Sequence, residues 1–174
     1  MDTDIETIPR VYVGTYAKYN GGSIAGAWID LDGMDKDSFL EKCAAPHSDE
    51  AEPEYMFQDF EGFPEAFYSE GGLADGLWDW LELDDDDRLI LQLYADNCGW
   101  QHSDIDKAKE AYQGAWDNLE AWVENFWEDT GMLAEIPEQC RCYIDFAAWA
   151  KDCVLGGEIF TDEHDGQTHV FSNH

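Results

Sequence analysis

Apolar and polar positions alternate with a period of two in several short stretches of the chain. Residues 11–16 and 24–31 are rich in β-branched and aromatic side chains. Asn20-Gly21-Gly22 lies between them, a pattern that predicts a β-hairpin. Residues 55–60 alternate as Tyr-Met-Phe-Gln-Asp-Phe and predict a third strand. Between these strands, Asp35 or Asp37 is placed to cap a short helix running to about Ala45. Phe39 and Leu40 are its expected apolar contacts, and residues 46–53 read as a loop. Residues 1–62 are thus expected to form a small antiparallel sheet with one helix.

The period then changes. Residues 62–72 are rich in Gly, Pro and Glu and read as a boundary. Leu73, Leu77, Trp80 and Leu81 recur at helical spacing and predict a helix over 73–83. Asp84, Asp85, Asp86 and Asp87 end it and are placed to cap the next, over 88–97, with Asn97 and Gly99 as stop signals. Ser103 or Asp104 caps a helix over 105–112. Residues 63–103 are expected to form an acidic helical middle domain. Residues 112–115 suggest a short strand. Trp116, Leu119, Val123, Phe126 and Trp127 then mark the clearest helix, 116–129, closed by Thr130-Gly131. The pattern restarts at Ile136-Pro137-Glu138, and residues 143–154 form a second amphipathic stretch, broken by Gly156-Gly157. Residues 159–161 and 168–171 alternate around Asp165-Gly166, a second hairpin. Residues 104–174 read as an α+β domain of helices with a small antiparallel sheet. The predicted fold class is α+β, an elongated chain of three small domains.

Charge changes the picture most. The 174 residues hold 9 Lys and Arg against 40 Asp and Glu, a formal net charge of −31. Aromatic residues make up 14%, too many for a disordered acidic tail. Such a charge excludes direct nucleic-acid binding through a basic surface, because that affinity comes from Lys and Arg neutralising phosphates. It also argues against docking on anionic membranes. No apolar run is long enough to span a bilayer, and no charged segment precedes an apolar one. A soluble, cytoplasmic protein is expected. The five cysteines, Cys43, Cys98, Cys140, Cys142 and Cys153, are odd in number and read as reduced thiols. The excess is −9 over residues 1–60, −16 over 61–130 and −6 over 131–174. A single substrate site would not need acid spread through the whole chain.

Local chemistry yields little. Asp30 to Glu41 spans a calcium-loop window, but Met34 takes the fifth position and Asp35 the sixth, where the loop needs Gly. Cys140, Cys142, Cys153 and His164 offer zinc-ligand types at the wrong spacing, and Cys140 and Cys153 read as buried structural thiols. No nucleophile elbow or Gly-rich phosphate loop is present, and the histidines read as solvated. No enzyme activity, metal or cofactor is expected.

The acidic stripes say more. Asp117, Glu120, Glu124 and Glu128 recur at spacings that put them on one face of one helix. Asp75, Asp79, Glu82 and Asp86 repeat the spacing, and no Lys or Arg falls within either stripe. Both a solvated face and a field used for steering or mimicry fit this pattern. At duplex density, one charge per about 1.7 Å, 31 charges equal roughly 53 Å of DNA. A globule of this length is only about 40 Å across, so an elongated arrangement matches DNA better.

At this point the residues resemble a known family, the ArdA-type antirestriction proteins. Pro9-Arg10-Val11-Tyr12-Val13-Gly14-Thr15-Tyr16-Ala17-Lys18-Tyr19-Asn20-Gly21-Gly22 looks like the family's first hairpin, continuing through Gly26-Ala27-Trp28-Ile29-Asp30-Leu31. Met56-Phe57-Gln58-Asp59-Phe60-Glu61-Gly62 resembles the end of its first domain. The most specific run is Glu128-Asp129-Thr130-Gly131-Met132-Leu133-Ala134-Glu135-Ile136-Pro137-Glu138, leading to Tyr143-Ile144-Asp145-Phe146-Ala147-Ala148-Trp149-Ala150-Lys151-Asp152. Phe146, Ala147 and Lys151 depart from the family's commoner Tyr, acidic or Gln, and Arg.

The resemblance implies an elongated, three-domain mimic of double-stranded DNA that dimerises through its C-terminal domain. Its partner would be a type I restriction–modification enzyme, engaged at the methyltransferase core and its specificity subunit, so that incoming mobile DNA is protected. The acids standing for phosphates would be Asp75, Asp79, Glu82, Asp84, Asp85, Asp86, Asp87, Asp117, Glu120, Glu124 and Glu128. The family's antirestriction motif maps to about residues 130–144, near the expected dimer interface. Thr130, Gly131, Leu133, Glu135, Ile136, Pro137, Tyr143, Ile144 and Trp149 are its candidate residues. For Leu133, Ile136, Tyr143 and Trp149, packing within the third domain is the competing role. Three other readings share the composition: a mimic aimed at another DNA-binding partner, a salt-adapted acidic protein, and an acidic hydrolase or metal-dependent enzyme.

Overall fold

Strand β1 (Arg10–Thr15) sends Val11 and Val13 to one face, where both are fully buried. This period-two burial is what the alternation predicts. The structure, a computed structural model, describes residues 7–173. The chain divides between Arg88 and Leu89 into two units.

In the first unit, β1 is the centre of a three-stranded antiparallel sheet in the order β2-β1-β3. Strand β2 is Ala27–Asp30 and β3 is Tyr55–Glu61. Val11 stands opposite Ile29 and Phe60, and Val13 opposite Ala27 and Phe57, with a bulge between Tyr12 and Val13. The link from β1 to β2 differs from the expected tight turn. Thr15 accepts from the Lys18 backbone N–H and starts a short helix, α1 (Tyr16–Asn20). Gly21 closes that helix on the Ala17 carbonyl, so Asn20-Gly21-Gly22 ends a helix rather than turning a hairpin.

Helix α2 (Lys36–Ala44) begins where Asp35 accepts from the Ser38 N–H at 2.8 Å. It buries Phe39 and Cys43, whereas Leu40, expected beside Phe39, is 43% exposed. Residues 62–72 are folded back on β3. A 3-10 turn, Glu65–Phe67, leads into the two-stranded ladder β4 (Tyr68–Ser69) and β5 (Gly72–Leu73). The Tyr68 hydroxyl donates to the Phe57 carbonyl at 2.7 Å, and Phe63 is buried. Gly62 is required here: its φ is +74°, and a Cβ would lie 2.5 Å from the Thr7 carbonyl oxygen. Helix α3 (Gly76–Glu82) starts later than its apolar stripe predicts, because Leu73 is taken by β5.

Helix α4 (Asp85–Cys98) runs across the division. In the second unit follow α5 (Ile105–Ala111), β6 (Tyr112–Trp116), α6 (Leu119–Asp129), α7 (Glu138–Arg141), α8 (Phe146–Leu155), β7 (Ile159–His164) and β8 (Gln167–Ser172). The sheet is antiparallel in the order β6-β8-β7. Trp116 belongs to β6, opposite Thr168, so α6 starts three residues later than predicted. Asn118 caps α6, accepting from Ala121 N–H at 2.9 Å. Asp145 caps α8 likewise, through Ala148 N–H, leaving residues 143–144 ahead of the helix. Trp122, Val123, Ala150, Cys153, Ile159 and Val170 form the main core of this unit, with Phe126 and Trp149 stacked against it. A second cluster joins Leu93 and Ala111 to Phe171, which stacks on Phe160. The whole is an α+β fold, with eight α-helices and three antiparallel sheets among the described residues.

Candidate partner-binding surface

The four-Asp run sits at a helix start. The Asp84 carboxylate accepts from the Asp87 N–H at 2.8 Å and caps α4. Asp85, Asp86 and Asp87 fill its first turn, where the helix dipole favours negative charge. Asp84, Asp85 and Asp86 are exposed and Asp87 is half-buried. The run is thus locally stabilised as well as outward-facing. Arg88, next in sequence, turns inward. Its guanidinium donates to the Trp80 and Leu81 carbonyls at 3.2 and 2.7 Å and lies 4.5 Å over the Trp80 ring. It caps the C-terminal end of α3, where a cation is favoured.

Asp79 and Glu82 lie on α3 and are exposed. Asp75 precedes that helix and carries a cation after all. Lys36 reaches it from α2 at 2.7 Å, and this hydrogen bond holds the Asp75 carboxyl below its ordinary value. The pairing joins residues far apart in sequence, so no local stripe could reveal it.

On α6, Glu120, Glu124 and Glu128 are exposed and recur every fourth residue. They lie on the side away from Trp122 and Val123, which are buried. Asp117 is exposed but precedes the Asn118 cap, so it is not on the helix as predicted. Trp116 continues the apolar spacing of α6, so periodicity alone places the helix start too early. Asn118 itself was the better start signal, since Asn is among the strongest caps.

Thr130 closes α6, its hydroxyl donating to the Phe126 carbonyl at 2.6 Å, and Gly131 follows with φ +76°. Leu133 and Glu135 bound a 3-10 turn, and Pro137 precedes α7. Arg141 donates to the Ile136 carbonyl at 3.1 Å, which ties α7 to that turn. Leu133, Ile136 and Ile144 are half-buried. Trp149 is a packing residue, stacked on Phe126 at 5.6 Å between ring centres. Tyr143 stands apart at 86% exposure.

The basic side chains are mostly committed locally. Arg10 pairs with Glu61 at 2.7 Å, Lys18 with Asp49 at 2.9 Å, and Lys107 with Asp104 at 3.0 Å. The hydrogen bond between Lys18 and Asp49 raises the lysine and lowers the carboxyl from their ordinary values. Residues 1–88 hold 23 acids against 5 bases, and residues 89–174 hold 17 against 4. Both units therefore present an excess of carboxylate.

Two expectations need correction. His47 and His169 are buried, not solvated, at 1% and 5% exposure. Each is accommodated by hydrogen bonds: His47 to the Val13 carbonyl, and His169 Nδ1 to the Tyr112 hydroxyl at 3.0 Å. Cys140 is exposed together with Cys142, while Cys43 and Cys153 are buried, and all five thiols are free. Burial pushes the Cys43 thiol up to about 12 and that of Cys153 to about 11. Among the described residues, no three His, Cys, Asp or Glu side chains are grouped to hold a metal ion, and no helix is long and apolar enough to cross a membrane.

No curated protein matches the chain. The family model described as antirestriction protein (ArdA) matches residues 11–166. That span takes in the β1 segment, both acidic helix regions and the 130–144 stretch. With nearly its whole length matched, the chain belongs to the ArdA family of antirestriction proteins.

Proposed function

We propose that the protein inhibits type I restriction–modification enzymes by taking the place of double-stranded DNA in their DNA-binding groove. The methyltransferase core and its specificity subunit would be the contact, and the protection of incoming mobile DNA in the cytoplasm the outcome. The reading is carried by one observation: the acids of α3, α4 and α6 face solvent, while Arg10, Lys18, Lys36 and Arg88 are held by partners in their own unit. The field left outward is predominantly negative. A basic DNA groove attracts such a surface by the counterion-release physics that attracts DNA. Phosphate contacts position a duplex without reporting its sequence. A mimic of the backbone alone would therefore inhibit enzymes of different recognition sequence.

The protein acts here by binding, without catalysis, metal or cofactor, and has no nucleic acid of its own to bind. A homodimer joined through the second unit fits the reading. Tyr143 at 86% and Leu155 at 74% exposure are the apolar side chains such an interface would cover. Two copies would carry about 62 charges, equal to roughly 105 Å of duplex, suited to a long two-part site. Competition is the test. The protein should displace duplex DNA from a purified type I methyltransferase core, and its affinity should fall steeply as salt rises. Affinity that did not change with salt would sink the charge-mimicry reading.

A further inference from the structure

We propose that a groove in the first unit receives an arginine side chain of the protein partner, its guanidinium packing against aromatic side chains beside the Glu54 carboxylate. The groove has a volume of about 710 Å³, and Tyr16, Phe39, Tyr55 and Trp78 supply rings to its lining. Phe39 is buried at its base, 5.4 Å from Trp78 between ring centres. Tyr16, Tyr55 and Trp78 are half-buried, so each keeps some surface open to a ligand. Such a concave aromatic surface has no counterpart in the backbone of a duplex, and phosphate mimicry does not explain it.

Charge selects the occupant. Glu54 lines the groove and is exposed, and burial, with Glu70 and Glu54 nearby, raises the Tyr16 hydroxyl above its ordinary value. Lys36, the cation in the lining, is paired with Asp75 at 2.7 Å. A cation entering the groove therefore meets aromatic side chains, a carboxylate and an acidic surrounding field. Among protein cations, guanidinium is planar and weakly hydrated, and it stacks on rings while binding a carboxylate; an ammonium is compact and holds its water. An arginine buried this way is the type of anchor that dominates protein interfaces. The partner's identity rests on the function proposed above, since a DNA-binding groove is a surface rich in arginine.

The test has two arms, both on the full chain. In the first, a blocked Gly-Arg-Gly peptide and its citrulline counterpart are titrated while the ring resonances of Tyr16, Tyr55 and Trp78 are followed. The arginine peptide should give saturable shifts that the uncharged peptide does not. Glu54→Gln, and Leu40→Trp at the exposed lip, should each weaken that binding about tenfold. The charge-matched control Glu65→Gln should leave it unchanged. In the second arm, the two groove variants should lose about tenfold in affinity for the methyltransferase core relative to Glu65→Gln. Equal shifts with both peptides, or groove variants that bind the enzyme as Glu65→Gln does, would overturn the proposal. If wild type fails to displace duplex DNA yet the arginine peptide still saturates the groove, the enzyme reading falls and the arginine site stands.

Discussion

The Lys18 ammonium lies 3.0 Å from Nδ1 of His47. An ammonium has only protons to give, so Nδ1 accepts. The ring proton is thereby placed on Nε2, which donates to the Val13 carbonyl at 3.1 Å. Lys18 also holds Asp49 at 2.9 Å and lies 3.7 Å from Glu50, which accepts from the buried Thr15 hydroxyl. One polar network thus connects the end of β1, α1 and the turn after α2. His47→Phe keeps a ring of similar size but leaves the Val13 carbonyl without this donor. A loss of about 1–3 kcal/mol in a urea melt is expected, the cost of an unsatisfied buried polar group.

Asn118 sets the start of α6 and so the position of its acidic face. Asn118→Ala removes the side-chain acceptor for the Ala121 N–H and should cost about 1 kcal/mol. Thermal melting followed by far-ultraviolet circular dichroism measures it. Asp117→Ala, one residue earlier and outside the helix, should cost much less. The reverse order would place the cap at Asp117.

Much of this architecture is legible in the sequence. Asn20-Gly21-Gly22 was a local miss, because Gly closes a helix as readily as it turns a hairpin, but most of the other differences have a long-range cause. Strands β1 and β3 follow from alternation. Residue type and position narrow the caps to Asp35 or Asp37, the run from Asp84, and Ser103 or Asp104, and the structure selects Asp35, Asp84 and Asp104. Helices α3 and α6 were predicted too long at their starts because Leu73 and Trp116 continue a helical spacing while pairing in strands. Periodicity cannot register a partner from another segment. The same limit hid the Lys36–Asp75 pair, the burial of His47 and His169, and the aromatic groove, each assembled from residues distant in the chain. The acidic stripe on α6 needed only local spacing, and Glu120, Glu124 and Glu128 are where that spacing put them.

His169 makes the second unit sensitive to pH. Burial lowers its value below the ordinary 6.5, and His164 adds to the shift. The folded state therefore binds this proton less readily than the unfolded chain. Stability from the neutral ring is complete above about pH 6.5 and is lost as pH falls from there toward the depressed folded value. Melting temperatures between pH 8 and pH 5.5 should decline on the acid side. His169→Gln, neutral throughout, should flatten that decline.

The thiols should separate by burial. Cys140 and Cys142 are exposed, whereas Cys43 and Cys153 are buried with raised values. A disulfide reagent at pH 8 should label Cys140 and Cys142 rapidly, and Cys43 and Cys153 only after denaturation. Rapid labelling of Cys43 in the native protein would contradict the packing of α2.

Glu120, Glu124 and Glu128 separate diffuse charge mimicry from a discrete site. Each is exposed on α6, and like charges four residues apart repel one another. Changing them singly to Gln should leave the melting temperature unchanged or slightly higher, so any loss of binding is not a loss of fold. If they stand where phosphates would, affinity for the methyltransferase core should fall in steps as one, two and three are neutralised. Each step should also flatten the dependence of log affinity on log salt by about one contact's worth. Equal steps would mean that no one carboxylate is recognised by shape. Loss of all binding from a single substitution, with the salt slope otherwise intact, would mean that the enzyme reads one site on α6 rather than its field.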